Sequence, residues 1–341
     1  MALSRRTFIK QLGQSVAALS LLSMNHCKKS SVESLRGKIV TVLGPIEPKE
    51  LGPTLPHEHI LVDFIGAEQV GKHRYDSDEV YRTMLPYLKE IREQGVTGFI
   101  ECTPMFLGRD PEILVRLAKE TDLHILTNTG LYKEPYLPEY AFIQTADDLA
   151  KQWIDEILYG IEDTGVHAGF IKIAVHAEDI KPMQEKIVRA ACRTHQATGA
   201  SIACHTAYGP AAIQILDILA EEKTPANSYI FVHANSENEI KYHYEIAERG
   251  AWIEYDNIGS WPPERHIVLV QDMIQRGYKN QLLLSMDRGW YHVGEPRGGQ
   301  ILPYTFLFGQ FVDEMRKADF DEDTIHLLTV TNPTRAFQID Y

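Results

Sequence analysis

Short apolar runs alternate along this chain with longer stretches in which apolar residues recur every three to four positions, the periods of a buried strand and of a helix packed by one face. Eight runs read as strands, over residues 55–64, 97–102, 124–129, 169–175, 201–206, 229–233, 252–258 and 282–286. The stretches between them carry helix punctuation. Asp110 can cap and Pro111 open a helix whose apolar stripe is Ile113, Leu114, Leu117 and Ala118. A second starts near Pro182, stops at Gly199 and has the stripe Ile187, Val188, Ala191, Cys192 and His195. A third presents Leu149, Trp153, Ile154, Ile157 and Leu158 before Gly160. Strand-then-helix units repeated in this way predict an α/β fold, a single-domain (β/α)8 TIM barrel whose site lies at the C-terminal ends of the strands. The alternative is a doubly wound open sheet. That fold calls for a glycine-rich phosphate turn after its first strand, where this chain instead reads His57-Glu58-His59.

Composition narrows the partners. The 341 residues are 44% apolar and 24% charged, an ordinary globular mixture. With 34 basic against 47 acidic side chains the formal charge is −13, which repels nucleic-acid phosphates, so a small molecule rather than nucleic acid is the expected partner. Cys27, Cys102, Cys192 and Cys204 share no C-x-x-C spacing and read as buried thiols, not as a disulfide framework or a zinc ribbon.

The first residues stand apart. Arg5 and Arg6, then Phe8, Ile9 and Lys10, then an apolar stretch from Val16 to Leu22 form the charged and hydrophobic regions of an export signal too short to span a bilayer. The paired arginines resemble a twin-arginine signal, an address for export of folded proteins. Residues 1–34 are therefore expected to be signal peptide and polar spacer, residues 35–341 the barrel, and the mature protein periplasmic with no stable membrane span. Cys27 is a candidate lipid anchor, although Asn25 and His26 make a poor lipobox.

Polar residues gather where the strands end. His57 and His59 are two apart, so on a strand both imidazoles face the same way, as two ligands of one metal must. Lys172 lies among Ile171, Ile173 and Val175, which can face helices and leave the lysine pointing into the barrel. A bare ammonium is costly there. Two readings stay open: pairing with a buried carboxylate, or a neutral amine that adds carbon dioxide and bridges two metals as a carbamate. His205, His233 and Asp287 each close an apolar run. Four imidazoles, one carboxylate and one lysine make two half-sites for two divalent ions about 3.5–4 Å apart. Mixed nitrogen and oxygen donors suit zinc, with manganese, cobalt or iron as alternatives.

The ordered series from Gly37-Lys38-Ile39-Val40 through Pro56-His57-Glu58-His59, Gly108-Arg109-Asp110, Gly169-Phe170-Ile171-Lys172, Cys204-His205-Thr206 and Ser285-Met286-Asp287 to Thr331-Asn332-Pro333 resembles the phosphotriesterase family of the amidohydrolase superfamily. The likeness covers nearly all of the mature chain. It implies a (β/α)8 barrel with a binuclear centre. His57, His59 and Asp287 would hold the more buried ion, and His205 and His233 the more exposed one. Carbamylated Lys172 would bridge them together with a hydroxide, which Asp287 would orient and deprotonate. A homodimer is the family expectation.

Two positions depart from the organophosphate-hydrolysing members, which relay the proton outwards through an aspartate two residues beyond the second exposed-metal histidine and a histidine ending strand seven. Here these are Asn235 and Asn257, and neither amide accepts a proton at neutral pH. The departure favours return of the proton from Asp287 to an alkoxide or amine leaving group, hence a lactone, carboxylic ester or amide over a phosphotriester. Structural asparagines with water as the relay are the competing reading. Loops after the strands offer Tyr132, Trp261, Trp290 and Arg297 to a substrate, or simply to lid packing. A metal-dependent hydrolase leads. A non-catalytic metal-binding or ligand-binding protein is the alternative of another class, and no flavin or nicotinamide fingerprint supports a redox enzyme.

Overall fold

The computed structural model describes residues 33–176 and 179–340. The twin arginines and Cys27 lie outside the described residues. A hairpin of β1 (Ile39–Thr41) and β2 (Gly44–Ile46) comes first. The main strands follow: β3 (Thr54–Val62), β4 (Gly98–Glu101), β5 (His124–Leu126), β6 (Asn128–Thr129), β7 (Phe170–Ala174), β8 (Ile202–His205), β9 (Tyr229–Val232), β10 (Trp252–Tyr255) and β11 (Leu282–Leu284). All their pairings are parallel, β3 with β4 with β5, and β6 through β11 in chain order. β5 and β6 are two pieces of one strand path, interrupted at Thr127. The seam between β11 and β3 is bridged by the Asp287 N–H on the His57 carbonyl at 3.1 Å and the His59 N–H on the Arg288 carbonyl at 2.9 Å. A short β12 (Gly289–His292) then lies parallel to the outer part of β3. The α/β fold thus has parallel strands bonded in the order of a (β/α)8 barrel.

Helices cover the outside, among them Ser77–Glu93, Pro111–Thr121, Ala146–Leu158, Pro182–Thr198, Gly209–Glu221, Ile240–Glu248 and Pro263–Gln275. Their ends are set as the sequence predicts. Asp110 accepts from the N–H groups of Glu112 and Ile113, and Gly199 stops its helix in the left-handed region at φ 74°. Among the described residues no helix is long and apolar enough to cross a membrane.

Alternation along the strands sorts side chains between helix-facing and interior positions. Ile171, Ile173, Ile202, Cys204, Ile253, Tyr255, Leu282 and Leu284 join the layer against the helices. The interior set changes character along the axis: Phe170 is followed by Lys172, Ala203 by His205, Trp252 by Glu254 and Leu283 by Ser285. One end of the barrel is plugged with apolar side chains, and the other is left to polar groups. Apart from the path 124–129, the strands also stop one to three residues short of the predicted C-terminal limits, as where 252–258 ends at Tyr255 and 282–286 at Leu284. After β9 and β11 the chain turns out of the ladder at His233 and Asp287, which adopt left-handed backbone, φ 64° and 52°.

Candidate metal centre

The polar end gathers all six predicted side chains. His57 and His59 come from the centre of β3, Lys172 from β7, His205 from the end of β8, and His233 and Asp287 from the turns after β9 and β11. His59 Nε2 lies 3.0 Å and His57 Nε2 3.8 Å from Asp287 Oδ1. His233 Nε2 lies 2.8 Å from His205 Nδ1, and the two rings meet edge to face. Lys172 Nζ is 3.2 Å from His57 Nε2 and the residue is buried. No carboxylate among the described residues pairs with Lys172 within 4.0 Å, so the buried-carboxylate reading of this lysine finds no partner here. Ring nitrogens and a carboxylate oxygen thus point at one another around one small cavity. That is the arrangement of a ligand set rather than of a closed hydrogen-bond network.

Outer partners fix the rings. His59 Nδ1 meets Thr103 Oγ1 at 2.8 Å. His57 Nδ1 has two carboxylates in reach, Glu254 Oε1 at 3.0 Å and Asp256 Oδ2 at 3.2 Å. Asp256 Oδ2 also accepts from the His233 backbone N–H at 2.9 Å and lies 2.9 Å from its Nδ1, so Glu254 is left as the natural acceptor for His57. Partners of this kind orient the ring and raise its basicity toward a metal. Glu58, between the paired histidines, reaches across the seam. It accepts from Ser285 Oγ at 2.8 Å, Met286 N at 3.1 Å and Arg288 N at 2.8 Å, clamping the turn that presents Asp287. This clamp holds a non-glycine residue in left-handed backbone, which costs about 1 kcal/mol or more.

Burial sets the electrostatics. It holds His57 and His205 well below the usual imidazole range, helped by the neighbouring lysines and imidazoles, so both rings are neutral, the form a metal requires. Burial acts to raise Asp287, but the adjacent His59 and the surrounding positive groups outweigh it and keep the carboxyl below its ordinary range. Glu254 is driven well above the carboxylate range by burial and then by Asp256.

The predicted substrate contacts divide. Tyr132 and Trp290 line the cavity, with Tyr132 Oη 2.9 Å from His205 Nδ1 and the Trp290 ring 5.1 Å from that of His59. Trp261 is turned elsewhere, stacked on His266 at 5.8 Å and covered by Arg265 at 3.8 Å. Arg297 lines a separate depression with Arg74, Tyr75 and Tyr291, because left-handed backbone at Arg297 and the two glycines after it turns the chain aside. Sequence reasoning passed over Glu58, Thr103, Glu254, Asp256 and Phe64. A signal existed for Glu254 and Asp256, two carboxylates two apart in an apolar strand.

Comparison with known proteins agrees with this geometry. The model of the phosphotriesterase family matches residues 37–337. A phosphotriesterase homology protein of Escherichia coli is 27% identical over 84% of this chain and 98% of its own length. An aryldialkylphosphatase of Saccharolobus solfataricus is 28% identical over 86% and 96%. An N-acetyltaurine hydrolase of Rattus norvegicus is 24% identical over 89% and 98%. A parallel barrel-ordered sheet, the histidine pair on its first strand and a family match over nearly the whole described chain lead to one conclusion: the protein belongs to the phosphotriesterase family.

Proposed function

We propose that the protein is a hydrolase with a binuclear metal centre that cleaves a carboxylic ester, lactone or amide. The observation that carries this reading is the convergence of four imidazoles, Asp287 and a buried lysine without a carboxylate partner on one cavity. His57, His59 and Asp287 would hold one divalent ion, His205 and His233 the other, with Lys172 as its carbamate between them; zinc suits the donors best, and manganese, cobalt or iron remain alternatives. Such ions, when bound, acidify water and polarise the scissile bond. The protein's own residues do the rest. Asp287, partly open to the cavity, takes the proton of the attacking water and returns it to the leaving group. Tyr132 and Trp290 position the substrate beside it.

Asn235 supports a carbonyl substrate. It is buried, and its Oδ1 accepts the Asp256 N–H at 2.7 Å, so it serves as a brace for the carboxylate beneath His233 rather than as a proton carrier. The aryldialkylphosphatase relative favours the second reading, phosphotriester hydrolysis. Elemental analysis of wild type beside Lys172→Ala tests the centre: about two divalent ions in wild type and a clear loss in the variant are expected. No metal in either, even after added zinc and bicarbonate, would overturn it. Turnover of esters, lactones and amides against a triester decides the substrate, and installing Asp at 235 with His at 257 should raise triester turnover if the relay argument holds.

Outside the described residues, we further propose export through the twin-arginine signal at Arg5 and Arg6 to the periplasm, with Cys27 as a lipid-anchor candidate and a homodimer as the assembly. Lysines in place of both arginines should retain the protein in the cytoplasm.

A further inference from the structure

Ring contacts run unbroken along one side of the ligand cluster. From His205 they pass to Tyr132 at 5.2 Å, to Tyr136 at 5.9 Å, to Phe64 at 5.8 Å and to Trp290 at 5.8 Å, and they reach His59 at 5.1 Å. Tyr132, Phe64 and Trp290 line the cavity, and Phe64 is 42% exposed, so this arc meets solvent as well as the cluster. The four residues between the two histidines carry no charge.

Lys133 sets a cation against the arc. Its Nζ lies over the Tyr132 ring, 5.6 Å from the centroid, and donates to the Val175 carbonyl at 3.3 Å. The Val175 N–H in turn donates to the His205 carbonyl at 3.0 Å, which puts the ammonium at the ends of β7 and β8. From there its charge acts on the His205 imidazole more strongly than that of Lys172 does. Among the described residues no carboxylate stands within 4.0 Å of this nitrogen; Glu134, next in the chain, turns toward His176 at 3.7 Å. Lys133 is half-buried, and burial holds its ammonium below the ordinary lysine range. A partly desolvated cation that uses one of its three N–H groups on a carbonyl is unfavourable in the free protein and ready for an anion.

We infer that Lys133 anchors an acid group of the substrate: the protein acts on esters, lactones or amides that carry a monoanionic carboxylate or sulfonate, with the apolar part of the molecule laid along the arc from Tyr132 to Trp290. A compact ammonium with two donors to spare suits two oxygens of one such acid. A dianionic phosphate calls for a second cation, which the arc does not supply. This rests on the hydrolase reading and adds to it the charge of the substrate.

The test uses the full zinc-loaded protein and two readouts. In the first, two pairs of esters differ by an acid group: 4-acetoxybenzoate against 4-acetoxybenzamide carries it on the leaving group, and phenyl hydrogen glutarate against methyl phenyl glutarate carries it on the acyl side. Expected in one pair is a kcat/KM about tenfold or more higher for the acid, a ratio that falls toward parity in Lys133→Met and is largely kept in Lys133→Arg. The second readout reports binding without turnover: benzoate or benzenesulfonate should raise the melting temperature, neutral benzamide should not, and the rise should disappear in Lys133→Met. Which of the two acids stabilises more tells carboxylate from sulfonate. Esters cleaved with no preference for the acid in either pair overturn the inference. So does stabilisation by the acids that is absent, as when an acidic side chain of the protein already holds Lys133, or that survives Lys133→Met, as when the acid sits on the ions. Stabilisation that depends on Lys133 with no ester cleaved would leave the anchor standing and sink the hydrolase reading instead.

Discussion

The two ends of the barrel make opposite use of their space. The N-terminal end opens into a depression of about 660 Å³ lined by residues such as Ser201, Trp252, Gln281 and Arg335, far roomier than the 70 Å³ at the C-terminal end. Its polar groups are largely engaged with backbone. Gln281 donates to the Ala247 and Ala251 carbonyls, and the Trp252 indole N–H to the Asn227 carbonyl at 3.0 Å. At the C-terminal end ring nitrogens face one another at 2.8 Å and a lysine sits against an imidazole. Room does not mark chemistry. A site declares itself where side-chain polar atoms are held facing each other by a second layer of partners, here Thr103, Glu254, Asp256 and Glu58.

The sharpest way to break this contrast is Asp287→Asn, which should lower kcat by about 10²–10⁴-fold while circular dichroism is unchanged; activity within tenfold of wild type would remove Asp287 from the chemistry. Next comes a stability effect at the same end. Burial pushes Glu101 up to about 7 from the ordinary 4.5, so the folded chain keeps a proton that the unfolded chain releases between those values. Stability is therefore present at low pH and lost as pH rises, by about 1.4 kcal/mol per unit and about 3 kcal/mol in all. Urea unfolding of metal-free protein at pH 5 and 7 should show this fall, which buried Glu58, pushed up to about 8, adds to, and Glu101→Gln should make it shallower. Smaller again, Asp256→Leu should weaken metal retention about 10–100-fold in a chelator competition, since His233 loses its orienting acceptor. At the opposite end, Arg335→Ala should leave kcat/KM within about twofold and stability within about 0.5 kcal/mol. A larger loss of activity would mean that the two ends are coupled.

Much of this was legible in the chain. Eight apolar runs and their caps carry the order of the sheet, because burial on both faces leaves a strong local signature. The six clustered residues were legible for the same reason: His57, His59 and Lys172 interrupt apolar runs, and His205, His233 and Asp287 stand at or beside the ends of others. Glu254 and Asp256 were less so. Their role depends on which imidazole crosses above them from β3, and no local period encodes that. Trp261 and Arg297 show the same limit from the other side. Both belong to loops after the right strands, yet stacking on His266 in one case and left-handed backbone in the other send the side chains away from the cavity. Loop residues are placed by tertiary packing, and proximity in sequence to a strand end says little about where their tips lie.

The Glu58 clamp also orders events in time. Its partners at Ser285, Met286 and Arg288 stand 227, 228 and 230 positions further along the chain. Bringing such distant segments together closes nearly the whole barrel as a single loop. During synthesis the paired histidines emerge early and wait for a turn that is among the last elements made. A chain cut short of residue 285 keeps His57, His59, Lys172, His205 and His233 but lacks Asp287 and the turn that Glu58 clamps, so the cluster is complete only once nearly the whole barrel has been made.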